Sequence, residues 1–186
     1  MGLDMYLERK IYVGNKFRNK DEKIKIKIPK KQEKALFKVE KINEDKVSYI
    51  IEEVGNWRKA NAIHKWFVDN IQKGNDDCGN YMVSRGELQN LLNICKEVLS
   101  KCKIVEGKVQ NGYRFNSKGE KIYNYEKGKI IANPEVAEEL LPSQEGFFFG
   151  GTEYDEYYIG DIKYTIEILE EVLKTKQGDI YYSSSW

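Results

Sequence analysis

The sequence predicts an α+β fold, an antiparallel sheet packed with about three helices in a single domain spanning 1–186. Three observations predict it. Ile24-Lys25-Ile26-Lys27-Ile28 alternates apolar and charged residues with the period of a strand. Two later segments, Trp57 to Gln72 and Ser84 to Lys103, instead repeat their apolar residues with the period of a helix. The first fifty-odd residues carry the strand-like pattern with lysines on the other face, which suits an antiparallel sheet wetted on one side.

In chain order, Leu3 to Val13 mixes charged residues with β-favouring Tyr, Ile and Val and reads as the first strand. The Ile24–Ile28 strand stops at Pro29. Leu36 to Ile42 and Val47 to Val54 read as a further pair, with Asn43-Glu44-Asp45 as their hairpin turn. Gly55-Asn56 then breaks the pattern, and Asn56 is the expected cap of a helix from Trp57 to Gln72. Trp57, Ala60, Ile63, His64, Phe67, Val68 and Ile71 share one broad face of it. A polar loop, Gly74 to Asn80, leads into a short extended Tyr81-Met82-Val83. Ser84 with Glu87 three residues on forms a capping box at the start of the next helix, which carries Leu88, Leu91, Leu92, Cys95, Val98, Leu99 and Cys102.

Residues 104–132 are rich in Gly, Asn, Lys and Tyr, with turn signals at Asn111-Gly112, Lys118-Gly119 and Lys127-Gly128, and predict short strands or an excursion from the domain. Asn133-Pro134 starts a short helix that Pro142 ends. Gly146-Phe147-Phe148-Phe149-Gly150-Gly151 reads as a buried strand running into a glycine turn. A last helix is expected from Tyr157 to Thr175, and Ile180-Tyr181-Tyr182 as a final strand.

With 186 residues, 40% of them hydrophobic and 33% charged, the chain is too apolar to be disordered and long enough for its own core. Nothing approaches the 18 or so uninterrupted apolar residues of a membrane span, so a cytoplasmic protein with no membrane partner is expected. The three cysteines Cys78, Cys95 and Cys102 are odd in number, lack paired ligand spacing and have a single histidine to help them, which predicts no structural metal. Cys95 and Cys102 fall on one helix stripe as small hydrophobes. Charge is uneven: 16–46 holds twelve Lys or Arg against six acids, whereas 130–162 holds eight acids and no Lys or Arg. Two solvated faces account for this; the sharper reading makes the basic segment a nucleic-acid surface and the acidic one a phosphate mimic.

Candidate chemistry centres on His64, the one side chain with an ordinary pKa near neutrality. Its place on the apolar stripe suits a satisfied core histidine. If the stripe borders a cleft, Arg58, Asn61 and His64 reach that cleft from one helix and suit a phosphate or carboxylate. Asp76, Asp77 and Cys78 sit in a glycine-bounded loop of the kind that often carries function. The segment Gly150-Gly151-Thr152-Glu153-Tyr154-Asp155-Glu156-Tyr157-Tyr158 offers close backbone approach, stacking faces and acceptors, suited to a nucleobase, an amine or a basic protein patch; the bland alternative places its acids at a helix N-terminus. Phosphate-loop, dinucleotide, zinc-hydrolase and serine-hydrolase signatures do not occur.

Gly2-Leu3-Asp4-Met5-Tyr6-Leu7, Trp57-Arg58-Lys59-Ala60-Asn61-Ala62-Ile63-His64-Lys65-Trp66-Phe67, Asp76-Asp77-Cys78-Gly79, Gly146 to Gly150 and Tyr154-Asp155 together resemble a widespread group of small phage and prophage proteins. The group brings no chemistry with it. The resemblance implies a phage setting, in which small accessory proteins often counter host defence. Two classes of function follow. As a binding protein, the chain sequesters a nucleotide-like signal near Arg58, Asn61, His64, Tyr154 and Asp155, or blocks a host defence nuclease through Glu153, Asp155 and Glu156. As an enzyme, a small hydrolase or transferase, it acts on such a ligand with His64 and Asp76 or Asp77. A virion or assembly component is the third reading. Binding is favoured, with no cofactor, and direct nucleic-acid binding through 16–46 ranks below it.

Overall fold

The computed structural model describes residues 2–14, 42–146 and 149–186. It is an α+β structure with antiparallel sheets and four α-helices among the described residues. The expected strand at 24–28, all but Ile42 of the one at 36–42, the basic stretch up to residue 41, and Phe147 and Phe148 lie outside the described residues.

The main sheet has the order β2-β1-β6-β3, with β1 Asp4–Tyr12, β2 Tyr49–Arg58, β3 Tyr81–Val83 and β6 Asp179–Ser185, every neighbouring pair antiparallel. Strand alternation decides which face is covered. Met5 and Leu7 of β1, Trp57 of β2, and Ile180 and Tyr182 of β6 are buried, and the helices α1 Asn61–Asn70, α2 Arg85–Lys101 and α4 Glu156–Leu173 pack on that side. Gly55 lets α4 come close, since a Cβ there would stand 2.6 Å from Ile168 Cγ2. The ring N–H of Trp57 donates to Thr165 Oγ1 of α4 at 2.9 Å, so the buried indole is satisfied.

Leu88, Leu91, Leu92, Cys95 and Val98 of α2 are all buried, and Cys102 beyond it is buried too, as their spacing predicts. The capping box of Ser84 and Glu87 forms with both bonds. Pro134 opens α3 Pro134–Leu140, whose cap Asn133 turns its side chain elsewhere, accepting from the N–H of Lys103 and donating to the carbonyl of Lys101. Residues 104–131 form a separate antiparallel hairpin, β4 Ile104–Phe115 with β5 Lys121–Ile131. Its turn is at Lys118-Gly119, and Asn111-Gly112 supplies a bulge instead of a turn. Only its base is anchored, by Val109 buried against the body and by the N–H of Ile131 donating to the carbonyl of Tyr154.

Several boundaries differ from expectation. Trp57 and Arg58 are not helical: β2 stays paired to β1 as far as Asp4 opposite Arg58, Lys59 takes a left-handed φ of 62°, and α1 begins at Asn61 with Ala60, not Asn56, before it. An apolar residue at Trp57 satisfies both a period of two and one of 3.6, and the ladder with β1 decides between them. Asn43-Glu44-Asp45 does not make a hairpin turn; Asn43 caps a short 3-10 helix, Glu44–Lys46. The described part of 146–151 is loop, with the N–H of Phe149 turning back to the carbonyl of Gly146.

Candidate functional site

The turn from β2 into α1 places two cations side by side. Arg58 ends β2 with a largely exposed side chain, 3.8 Å from Asp4. Lys59 follows in the left-handed region, held by its N–H to the carbonyl of Leu3 and by its carbonyl from the N–H of Asn61. A non-glycine residue in that conformation is strained, and such strain collects at functional sites. The helix they introduce has no side-chain cap; the N–H of Asn61 is taken by the Lys59 carbonyl, and the positive end of the helix dipole lies beside the two cations.

Asn61 fixes the opposite wall. Its Nδ2 donates to the carbonyls of Phe149 and Gly151, and its Oδ1 accepts from the N–H of Gln144. Gly150, at φ +90°, lies against Lys59, where a Cβ would meet Lys59 Cβ at 3.2 Å. Ser143 closes the loop by donating its hydroxyl to the carbonyl of Thr152 and its N–H to the hydroxyl of Tyr154. Asp155 caps α4, accepting from the N–H groups of Tyr157 and Tyr158.

These elements and the hairpin enclose a cleft of about 1180 Å³. One end carries Arg58, Lys59 and the start of α1; the hairpin wall carries Gln110, Tyr113, Lys121 and Tyr123; Tyr157 and the acids Glu145, Glu153, Asp155 and Asp161 line it from the body. Burial raises the Asp155 carboxyl above its ordinary value, against the two helix N–H groups that pull it down. Burial, and then the charge of Asp155, push the Asp161 carboxyl up to about 7. Its carbonyl accepts from Thr165, but its carboxylate has no hydrogen-bond or ion-pair partner among the described residues.

The residues singled out in the sequence divide between three places. Arg58, Asn61, Glu153 and Asp155 line the cleft, although Arg58 arrives from a strand and Asn61 is committed to the loop. Tyr154 lies beneath the cleft, packed edge-on against Tyr158, and Glu156 accepts from the N–H of Lys129 in the hairpin. His64 is elsewhere. It is fully buried, its Nδ1 2.7 Å from the hydroxyl of Tyr182 and its Nε2 3.0 Å from Asp76, whose other oxygen accepts from the indole of Trp186. Asp77 turns away from His64 and accepts from the N–H of Gly79 and the hydroxyl of Tyr81, which hold its carboxyl below the usual range. Cys78 is exposed in the same loop.

Tyr157, from the segment expected to offer stacking faces, lines the cleft too, whereas Lys59, Tyr113, Lys121, Tyr123 and Asp161 belong to it without having been proposed as site residues. Tyr113 and Tyr123 had a signal in the sequence: period-two aromatic residues flank Lys118-Gly119 on both sides. Asp161 had none, because its environment is made by the fold. Among the described residues no three His, Cys, Asp or Glu side chains gather as a metal site, and no helix is long and apolar enough to cross a membrane. Comparison with protein-family models, curated proteins and solved structures finds no match to the chain.

Proposed function

We propose that the chain binds a nucleotide-like ligand in the cleft between the hairpin and the body. The observation that carries this is the division of the cleft into a cationic end and an aromatic wall. Arg58, Lys59 and the uncapped start of α1 suit phosphate oxygens, because guanidinium, ammonium and helix N–H groups all favour an anion there. Tyr113, Tyr123 and Tyr157 offer faces on which a base stacks, and Glu153, Asp155 and Asp161 offer acceptors or donors to its edge. In the phage setting that the sequence resemblance implies, the chain would act in the host cytoplasm by sequestering a signal of host defence. Of the acids suited to imitating nucleic acid, Asp155 is committed to capping α4 and Glu156 to the hairpin, which supports sequestration over the blocking of a defence nuclease.

A thermal-shift screen against mono-, di- and cyclic nucleotides tests the proposal. A ligand at 100 times its Kd adds about 2.7 kcal/mol, a rise of roughly 5–10 °C for a chain of this size. Arg58→Ala, at an exposed position, is expected to leave the unliganded midpoint in place and to weaken the ligand tenfold or more. No shift with any nucleotide would sink the proposal.

A second reading rests on Asp161. A carboxyl pushed to about 7 in a cleft is suited to general acid-base work, so hydrolysis of the bound ligand would use Asp161, while His64 stays buried between α1 and the sheet. Chromatography of the ligand after incubation separates the readings: intact ligand means binding alone, and turnover lost in Asp161→Asn means catalysis.

A further inference from the structure

The hairpin reaches past the cleft, and its surface there has an unusual composition. From Asn111 to Lys127 nearly every residue is exposed, on both faces of a two-stranded ribbon. Cross-strand register puts Tyr113 opposite Tyr123 and Phe115 opposite Lys121, and alternation adds Tyr125 to the same face. Ring contacts agree: Tyr113 meets Phe115 at 5.5 Å and Tyr123 at 6.4 Å, and Lys121 Nζ lies 4.7 Å from the centre of the Tyr113 ring. The four rings are 46–62% exposed. Lys108 and Lys127 are paired directly opposite each other on this face, nearer the base. Like charges so placed repel, and an anion lying along the face would relieve them. Of the hairpin's carboxylates, Glu126 accepts from Asn111 and Glu120 from Asn116 at the turn, and Glu106 lies on this face at the base, opposite Lys129.

We propose that this face binds a single strand of nucleic acid, which enters the cleft with one nucleotide and continues outward along the hairpin. The proposal rests on the cleft being a nucleotide site and names the class of its ligand as an oligonucleotide. Alternate residues of a strand stand about 7 Å apart along the backbone, close to the repeat of an extended nucleotide backbone. Stacking on tyrosine and phenylalanine with lysines along the phosphates is the means by which proteins hold single strands without reading sequence. The charge fits the same occupant, since residues 104–131 carry six Lys or Arg against three Glu. The volume of about 1180 Å³ also exceeds the roughly 300–1,000 Å³ of ordinary small-molecule pockets.

Fluorescence anisotropy with labelled thymidylate and uridylate chains of two, four and eight nucleotides tests this. Affinity is expected to rise at least tenfold from two to eight nucleotides and to fall steeply with salt; a preference between the two series tells DNA from RNA. Phe115 and Tyr125 lie outside the cleft lining. The double variant F115A/Y125A is therefore expected to bind the dinucleotide as the parent does and to lose the gain with length. Both positions are exposed, so an unchanged thermal midpoint certifies the fold. Affinity independent of length would overturn the extended strand while leaving the cleft as a nucleotide site. Absence of binding to all six probes, or a hairpin found to be covered by a protein partner that the probes cannot displace, would overturn the strand, and the screen of mono- and cyclic nucleotides then decides the cleft separately.

Discussion

His64 shows how burial changes the meaning of a residue. Both ring nitrogens are engaged, by Tyr182 and by Asp76, and Phe149 packs edge-on against the ring at 5.2 Å. His64→Ala would leave a void and two unpaired polar groups, a loss of about 3 kcal/mol or roughly 6–12 °C in thermal denaturation. Ligand affinity measured well below that lower midpoint should be unchanged, because the imidazole does not line the cleft. Asp161 gives the opposite lesson. Its carboxyl titrates near 7 when folded and near its ordinary 3.8 when unfolded, so the folded chain binds more protons between those values and loses stability as pH rises through that window. The full difference is about 4 kcal/mol, reduced to about 2 kcal/mol by partial exposure. Asp161→Asn should match the parent near pH 4 and melt about 4–8 °C higher at pH 8, a comparison that calorimetry at the two pH values decides.

The hairpin is the element whose stability and function separate most clearly. A two-stranded ribbon has little independent stability, and beyond Gln110 and Tyr125 this one has almost no burial against the body. Gln110 and Tyr125 face each other across the ladder, so residues 111–124 can be replaced by Asn-Gly in a tight turn. The shortened chain is expected to melt within about 2 °C of the parent and to lose nucleotide affinity with Tyr113, Lys121 and Tyr123. A large fall in the midpoint would make the hairpin structural. The sequence marked this stretch as short strands or an excursion, with turn signals at three places, and only Lys118-Gly119 turned the chain. Asn-Gly and Lys-Gly pairs permit a turn or a bulge alike, and pairing across the ribbon selects between them.

At the scale of the whole molecule, the last strand holds the sheet together. β6 lies between β1 and β3, and the Tyr182 ring stacks on Phe67 at 3.9 Å with 5° between planes. Deleting residues 179–186 removes a central strand and the hydroxyl that His64 faces, and should abolish a cooperative thermal transition; a retained one would place the core elsewhere. By itself the sequence determined the α+β class, the first and last strands, α2 with its capping box, the proline-led α3 and the burial of Cys95 and Cys102. These follow from local periodicity and from caps that close within a few residues. The tertiary structure alone decided that Trp57 and Arg58 are strand, that His64 is turned from the cleft, and that Asp161, Tyr113 and Tyr123 line it. Pairing with β1, the insertion of β6 and the return of the hairpin join residues as far apart as Asp4 and Ser185, 181 positions along the chain, and no local pattern encodes which distant partner wins.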